Sequence, residues 1–332
     1  MAPQKSKKTS RFWLFAPFVV LALLTGGYFL FWQWTADFIL TNLKSAGLNA
    51  ATTQRSGFPA RLSFVLSEPN YRDPSLEWRT TELRLDLMPF SRQQAVLKAD
   101  GTHRLTLSTG AVMIDHALNT ASARVDTEGL ARVDVVLAKP VFSGQLGRVN
   151  LNMASQASEI HLRRSPNNAH IANIAVTNKA IRMGRQTALD ILDLEAATPM
   201  SWFMSPGQWA KDLRAGTRID ITNLHVSRQG LSIQGDGAIG ADRNDKLVGA
   251  IKLNVNDLSL FLDLLRELNV IDGKSRKQIE LVQGISGFFK ALTGDQKTVK
   301  LKIDLEFRDG MSYLAKIPLG PAPRLPLPLR GS

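Results

Sequence analysis

The chain has 332 residues, no cysteine, 44% hydrophobic residues and a formal net charge of +12. The lack of cysteine excludes disulfides, zinc–thiolate sites and thiol nucleophiles, so the fold must be stabilised by packing alone. The length exceeds what a minimal single domain needs, and the positive charge favours anionic headgroups or acidic polymers as partners without specifying a fold.

The first 34 residues predict a membrane anchor. A basic tail over residues 1–11 has four cations and no acid, and residues 12–34 carry no charge. As a helix, this stretch extends about 34 Å, enough to cross a hydrocarbon core of about 30 Å. The positive-inside bias predicts a cytoplasmic tail, a single span in a bacterial inner membrane and a periplasmic remainder. A cleaved signal peptide is the weaker alternative, because its apolar region is shorter and no Ala-x-Ala site follows Trp34.

Aromatic residues gather at both ends of the predicted span, where amphipathic rings settle at headgroup depth. The residues that we assign as membrane anchors are Phe12, Trp13, Phe15, Trp32 and Trp34. The helical pattern continues beyond the span, so residues 35–48 are predicted to form a helical stalk that ends near Gly47.

After the stalk, the dominant hydrophobic period changes to two, which is typical of half-buried strands. Leu62, Phe64 and Leu66 show this alternation, and the same pattern returns in about ten segments as far as residue 307. The sequence therefore predicts a mainly β protein with a few α-helices, in which residues 49–316 form a long, curved, mostly antiparallel sheet with covering helices. The best candidate for a boundary between two domains lies near residues 190–205.

Three helices are predicted within the exported part. They start near Ser205, Asp257 and Arg276 and end near Gly216, Leu268 and Leu292. The helix after Asp257 has a wide leucine-rich face, which we expect to cover the sheet; a membrane-surface or partner-binding helix is the alternative. Residues 317–332 are rich in proline and are expected to run extended, as a strap along the sheet edge or as a tail.

The candidate motifs for catalysis have simpler structural explanations. Gly235–Gly240 matches a dinucleotide fingerprint, but a polar turn and another strand follow it instead of a helix. The histidines lie outside the short spacings of zinc sites; they are His103, His116, His161, His170 and His225. Asp190, Asp193 and Glu195 resemble solvated turn residues more than a paired acid and base. We therefore predict no catalytic residue, no metal, no cofactor and no enzymatic activity.

The positive net charge raises the question of whether the chain binds nucleic acid. In this chain the exported cations are scattered singly along strand-like segments, and few aromatic residues accompany them. Single-stranded nucleic acid needs stacking rings beside a basic groove, and duplex binding needs clustered cations on one face. The sequence therefore predicts no nucleic-acid partner.

A series of short motifs, taken in chain order, carries a resemblance to a known family. The motifs are Ser56–Arg61 before a strand, Asp73-Pro74, Trp78, Gly235–Gly240, Gly249, the leucine-rich helix after Asp257, Asp309-Gly310 and Ile317–Pro323. In this combination the chain resembles DUF2125, an uncharacterised bacterial group of single-span envelope proteins catalogued as a domain of unknown function. The glycine-punctuated strands before a leucine-rich helix also look like AsmA-type envelope proteins. That resemblance implies a β-rich groove able to hold lipid chains.

Two functions from different classes follow from these observations. In the first, the sheet forms an apolar groove that holds a lipid or another amphiphile beside the inner membrane, and burial at about 0.8 kcal/mol per methylene supplies the affinity. In the second, the helices close the sheet, and the protein is a scaffold that binds an envelope protein through a sheet edge or its basic surface. An unfilled apolar channel favours the first, which we prefer, and a packed core with a paired edge favours the second.

Overall fold

The computed structural model describes residues 12–73, 76–88, 91–107, 109–147, 149–184, 187–205, 208–267, 301–325 and 327. The basic tail over residues 1–11, the helix predicted from Arg276 to Leu292 and most of the segment after residue 325 lie outside these ranges. Within them, the protein is mainly β with a few helices, which confirms the predicted fold class.

The elements follow one another in a long meander with few helices. The helices are α1 (Phe12–Ser45), α2 (Ser201–Met204), α3 (Gln208–Arg214) and α4 (Leu258–Glu267). The strands are β1 (Leu48–Asn49), β2 (Thr52–Ser56), β3 (Leu62–Ser67), β4 (Asn70–Arg72), β5 (Leu76–Arg79), β6 (Glu82–Met88), β7 (Ser91–Asp100), β8 (His103–Leu107), β9 (Gly110–Asp115), β10 (Leu118–Asp126), β11 (Gly129–Ala138), β12 (Val141–Leu146), β13 (Val149–Ala154), β14 (Ala157–Ser165), β15 (Asn168–Met183), β16 (Thr187–Pro199), β17 (Ile219–Arg228), β18 (Leu231–Ala241), β19 (Leu247–Val255), β20 (Leu301–Arg308), β21 (Met311–Leu314) and β22 (Ile317–Pro321).

Helix α1 is continuous through the predicted anchor and most of the predicted stalk. Its 34 residues extend about 51 Å at 1.5 Å per residue, more than a hydrocarbon core of about 30 Å requires. Residues Pro17–Ser45 are long and apolar enough to cross a membrane. The helix ends where Gly47, with a φ of 95°, donates its N–H to the carbonyl of Lys44. Glycine tolerates this left-handed conformation at a helix end.

The strands form one open sheet in which every pairing is antiparallel. The longer path runs β2-β3-β6-β7-β10-β11-β14-β15 and continues in chain order to β22. A second path of shorter strands runs β1-β4-β5-β8-β9-β12-β13 and joins the first at β15. Residues 190–205 include most of β16, which pairs with β15 on one side and β17 on the other.

Successive long strands are interrupted at the same height in the sheet, and we call this line of interruptions the crease. The crease divides the sheet into the two paths. The interruptions are Ala50–Ala51, Glu68–Pro69, Thr80–Thr81, Gly101–Thr102, His116–Ala117, Lys139–Pro140 and Ser155–Gln156. Lys139 has a φ of 50°, which regular strands do not allow, and the buried Pro140 that follows cannot donate a ladder hydrogen bond. Each long strand therefore contributes one segment to each path.

One face of the longer path is apolar from β3 to β20. Directly paired residues on neighbouring strands point to the same face, so the register traces rows across the sheet. The central row is Phe64, Leu85, Leu97, Ala121, Val135, Ile160, Val176, Leu194, Leu224, Gly235, Leu253 and Ile303. The row beside it begins with Leu62, Leu87, Ala95, Ala123, Val133, Leu162, Ile174 and Ala196. We call this surface the apolar face.

Helix α4 covers the far end of the apolar face, as its leucine-rich pattern predicts. The Asp257 carboxylate accepts the N–H groups of Ser259 and Leu260 at 2.8 and 3.0 Å and so caps the helix. The buried residues of α4 are Leu258, Phe261, Leu262, Leu264 and Leu265, and the strand residues packed with them include Leu231, Ile233, Leu253, Val255 and Ile303. This cluster is the main hydrophobic core.

The remaining helices and the proline-rich segment lie at the other end of the late strands. The helix predicted from Ser205 to Gly216 is present as α3, and the short helix α2 precedes it. The proline-rich segment begins as β22, which pairs with β21 and places Pro318 in an edge strand, where a missing N–H is tolerated. Leu327 then packs beside α3.

Candidate functional site

The second half of α1 packs on the first strands of the sheet. Trp32 and Ala36 are buried beside Leu62, Phe64 and Leu85. The Trp32 indole N–H donates to the carbonyl of Arg61 at 3.1 Å, and the Tyr28 hydroxyl donates to the carbonyl of Pro59 at 2.6 Å.

The loop over residues 57–61, part of the Ser56–Arg61 motif, holds α1 in this position. The ring of Phe58 contacts Tyr28, Phe29 and Trp32 at centroid distances of 5.7, 5.3 and 5.8 Å. Such tilted and edge-to-face contacts stabilise aromatic pairs beyond their area burial. The motif therefore docks the helix on the sheet.

Trp32, one of the residues predicted as membrane anchors, packs against the sheet. It is only 5% exposed, because Trp32, Ala36 and Ile39 share the helix face that turns toward the sheet. Trp34 and Phe15, both 64% exposed, do present their rings to the surroundings. The side chains of Phe12 and Trp13 lie outside the described residues. The spacing 32, 36, 39, 43 was the sequence signal that would have separated the two faces.

An apolar groove of about 650 Å³ lies between α1 and the sheet. It is lined on the helix side by Tyr28, Phe31, Trp32, Trp34, Thr35, Phe38, Ile39 and Leu43, and on the sheet side by Leu48, Leu62, Leu83, Leu85, Leu87, Met88, Ala95, Leu97 and Ala123. None of these described lining residues is charged. The volume is within the range of about 300–1,000 Å³ that is typical of small-molecule sites. We call it the α1 groove.

The mouth of the α1 groove is unusually apolar for a surface. Phe38 is 58% and Met88 59% exposed, and the ring of Phe38 stacks on Trp34 at 5.9 Å. Contiguous exposed apolar side chains mark binding sites for apolar partners more often than single exposed ones do. The mouth lies at the height on α1 where the predicted span ends, at Trp34.

The floor of the α1 groove is the beginning of the apolar face. Ala95, Leu97 and Ala123 line the groove, and the same rows continue through Val135, Ile160 and Val176 on the next strands. These middle residues are half-buried or exposed, with Ile160 at 39% exposure. The groove and the α4 core are therefore connected by an apolar strip that the described helices leave partly uncovered.

The opposite face of the same strands is polar and has a shallow depression of about 410 Å³. There the Asp134 carboxylate lies 2.8 Å from His161 Nδ1 and 2.6 Å from Arg132 Nε. Burial raises the pKa of Asp134, but hydrogen bonds from His161 and Arg132 outweigh it and hold that pKa below its usual range. A carboxylate held ionised by these partners is a poor general acid, so we interpret the cluster as structural.

A buried aromatic stack lies at the crease. His103 stacks between Trp78 and His116, at centroid distances of 5.8 and 4.8 Å. The Trp78 indole N–H donates to His103 Nδ1 at 3.1 Å, and Nε2 is 2.7 Å from the Asn119 amide. An indole only donates, so His103 Nδ1 accepts this hydrogen bond and the ring is neutral.

Burial, and then the neighbouring His116, lower the pKa of His103 to about 4. His103 therefore stays neutral at neutral pH. This stack could not be predicted from the sequence, because its members are brought together only by the register of β5 and β8 and by the strand break before β10.

The other motifs have structural roles. Gly235–Gly240 lies inside β18, where a Cβ on Gly237 would be 2.1 Å from the carbonyl oxygen of Ala250 on β19, so glycine permits the close pairing. Asp190 accepts the N–H of Gln229, and Asp193 lies 3.6 Å from His225. Among the described residues, no group of three or more histidines and carboxylates is placed to hold a metal ion.

The chain is similar to a described protein family over most of its length. A family model described as an uncharacterized protein conserved in bacteria (DUF2125) matches residues 37–323. The matched region includes the end of α1, the loop that docks it and the strands from β1 to β22. No curated protein and no solved structure matches the chain.

Proposed function

Because the chain belongs to the uncharacterised bacterial family DUF2125, whose description names no activity, we propose its function from the α1 groove. In this proposal the protein is a membrane-anchored component of the bacterial cell envelope, and the groove holds the acyl chains of a lipid. The single observation that carries the proposal is an uncharged, aromatic-edged groove of about 650 Å³ beside the one helix in the described residues that is apolar enough to span a membrane.

The topology that we propose follows from α1 and the tail before it. A span of about 20 residues fills the hydrocarbon core, so about the last 14 residues of a helix of 34 residues project beyond it. The basic tail stays in the cytoplasm, and the sheet lies in the periplasm against the inner membrane. This arrangement brings the mouth of the α1 groove to the headgroup region.

The energetics suit a lipid that enters from the membrane. Burying ten methylenes from water would supply about 8 kcal/mol, which corresponds to micromolar affinity before the costs of binding. A lipid that leaves a bilayer exchanges one apolar environment for another, because lipid tails are as apolar as leucine side chains. Entry into the groove is therefore close to neutral in free energy, and the groove can accept and release a lipid without catalysis.

The test is photo-crosslinking of the full chain in bacterial membranes. A photoreactive residue in place of Leu97, on the groove floor, is expected to give lipid adducts that mass spectrometry identifies. The same residue at Phe18, exposed on the span, reports contact with bulk lipid. Ala123→Trp, which fills the groove, should reduce the Leu97 adduct at least about fivefold and leave the Phe18 adduct unchanged.

A matched variant, Ala188→Trp on the exposed surface of β16, should change neither adduct. Lipid adducts at Phe18 without any at Leu97 would contradict the proposal, since bulk lipid would then be present and the groove empty of it.

A specific observation supports the scaffold as a second candidate. β2 pairs with β3, and no other described strand pairs with it. All five of its residues are exposed, so one edge of its backbone is open to strand addition. A photoreactive residue at Gln54 that captures one protein of defined mass, together with an empty groove, would favour the scaffold over the lipid-holding function.

A further inference from the structure

Three arginines lie side by side on the polar face of neighbouring strands. Arg124 on β10 is directly paired with Arg132 on β11, which is directly paired with Arg163 on β14. All three side chains are exposed, and together they line a depression of about 540 Å³. We call these residues the arginine row.

Like charges in directly paired positions destabilise a sheet. The charge of Arg132 is offset by the Asp134 carboxylate, which lies 2.6 Å from Arg132 Nε. Arg163, in contrast, forms no ion pair with any residue that the structure describes. The acids at the nearby turn, Asp126 and Glu128, are both paired with Arg164, at 2.9 and 3.0 Å. The row is thus left with a surplus of positive charge that an external anion would offset.

The arginine row lies beside the α1 groove. Ala123, next to Arg124 in β10, lines the groove together with Phe31 and Trp34. Successive strand residues point to opposite faces, so Arg124 lies on the back of the strand whose front forms the groove floor. The ends of β10 and β11 are therefore close to the height at which α1 leaves the proposed span.

Exposed apolar side chains surround the turn between β10 and β11. Val125 precedes the turn, and Met204 of α2 lies beside Gly129 after it, with its Cε 3.5 Å from where a Cβ would sit. Both side chains are exposed. Apolar residues at a tip with arginines behind it match a membrane surface, in which apolar groups enter the acyl boundary and cations meet the phosphates.

From this placement we propose that the arginine row and the β10–β11 turn form a second membrane contact, which docks the sheet on anionic lipid headgroups. The proposal rests on the proposed span of α1. It goes beyond the groove, because it requires a headgroup charge, which the groove does not. Each uncompensated basic residue near an anionic surface strengthens binding by about fivefold, so the surplus positive charge of the row gives a preference for anionic lipid.

The experiment uses the full chain in lipid nanodiscs. The chain has no cysteine, so Asn167→Cys, in the exposed turn after β14, gives a single labelling site. A fluorophore there is read against quenchers on the lipid headgroups. Quenching is expected to be at least about threefold stronger in discs with phosphatidylglycerol than in discs of phosphatidylcholine alone, and to weaken at high salt.

The combined variant Arg124→Gln, Arg132→Gln and Arg163→Gln should remove the difference between the two lipids. The matched variant Lys139→Gln, Lys179→Gln and Arg182→Gln removes three exposed cations toward the crease ends of β11 and β15 and should keep it. Equal quenching in both lipids, or a difference that survives the arginine variant, would overturn the proposal.

Photo-crosslinking at Leu97 in the same two kinds of disc distinguishes this proposal from the proposed function. Lipid adducts at Leu97 depend on acyl chains and are expected in both kinds of disc. If those adducts form while quenching shows no lipid preference, the docking contact is wrong and the groove stands. If the chain fails to insert into discs at all, the span is wrong and both proposals fall.

Discussion

The two ends of the apolar face are covered by helices in different ways. Under α4, Leu262 is 1% exposed and Val255 is completely buried, so the cover is close-packed. Under α1, Trp32 is buried, but Phe38 stays largely exposed and a groove remains. The sheet presents apolar residues to both helices, so the difference lies in how closely each helix packs on them.

The groove arises from a mismatch of side-chain sizes. α4 presents leucines that interdigitate with Ile233 and Leu253, whereas α1 presents large rings opposite the small residues Ala95 and Ala123. Rings facing alanines leave space between the backbones that no side chain fills. A structural core and a binding groove can thus form on one continuous sheet surface.

The largest expected effect is at the α4 end. Leu262→Ala should lower the free energy of unfolding by about 2–5 kcal/mol, because it leaves a cavity in a packed core. Leu260→Ala, in the same helix at a 40% exposed position, is the control and should cost about 0.5 kcal/mol. Denaturant titration of both variants in detergent measures this, and equal losses would show that α4 is not a close-packed cover.

The next largest effect is expected at the crease, where protonation of His103 should make the free energy of unfolding depend on pH. The pKa of His103 is about 4 in the fold against about 6.5 when unfolded, so protonation favours the unfolded chain. The contribution of neutral His103 to the free energy of unfolding is fully present above pH 6.5. It is lost as the pH falls toward 4, by about 3 kcal/mol in all. Denaturant titrations across this range should show that loss.

His103→Gln is the comparison for the pH series, because its amide oxygen can still accept from Trp78. The variant should have a flatter stability profile between pH 6.5 and 4 than the natural chain. Parallel profiles would mean that His103 is free to protonate within the fold.

A smaller effect is expected where α1 docks. Trp32→Phe keeps an aromatic ring but removes the five-membered ring of the indole, with the N–H that donates to the Arg61 carbonyl, which should cost about 1–2 kcal/mol. Trp34→Phe makes the same chemical change at a ring 64% exposed and should have no measurable effect on unfolding. Equal losses of stability in the two variants would show that Trp32 does not help to hold α1 on the sheet.

The smallest effect on stability should come from the groove mouth. Phe38→Ala removes a largely exposed ring and should change the free energy of unfolding by no more than about 0.5 kcal/mol. Because the ring edges the groove, the lipid adduct at Leu97 should nevertheless fall. A loss of stability as large as that of Leu262→Ala would show that the α1 end is a second core instead of a groove.

The strands and α4 were predictable because each follows one simple period. A periodic pattern indicates which side of a single strand or helix is buried. Such patterns are the alternation around Leu62 and Leu83 and the leucine-rich face after Asp257. The helix predicted from Arg276 stays a prediction, since it lies outside the described residues.

The site was less predictable, because it depends on which elements meet. An apolar helix has the same composition whether it faces lipid or protein, so the pattern alone did not separate Trp32, which is buried against the sheet, from Trp34, which is exposed. Arg124, Arg132 and Arg163 are far apart in sequence, and only strand register brings them together. The crease depends on Lys139, a residue whose left-handed conformation has no strong sequence signal.

The continuous path of α1 has a mechanical consequence. The helix is unbroken between the proposed membrane segment and the part that is packed on the sheet, so the two are joined in one element about 51 Å long, in which Pro17 lies near the start. A change in tilt of about 10° at the membrane end would swing the other end by about 9 Å, and membrane spans tilt by such amounts when bilayer thickness changes. The thickness of the membrane would thereby set how high and at what angle the sheet stands above it.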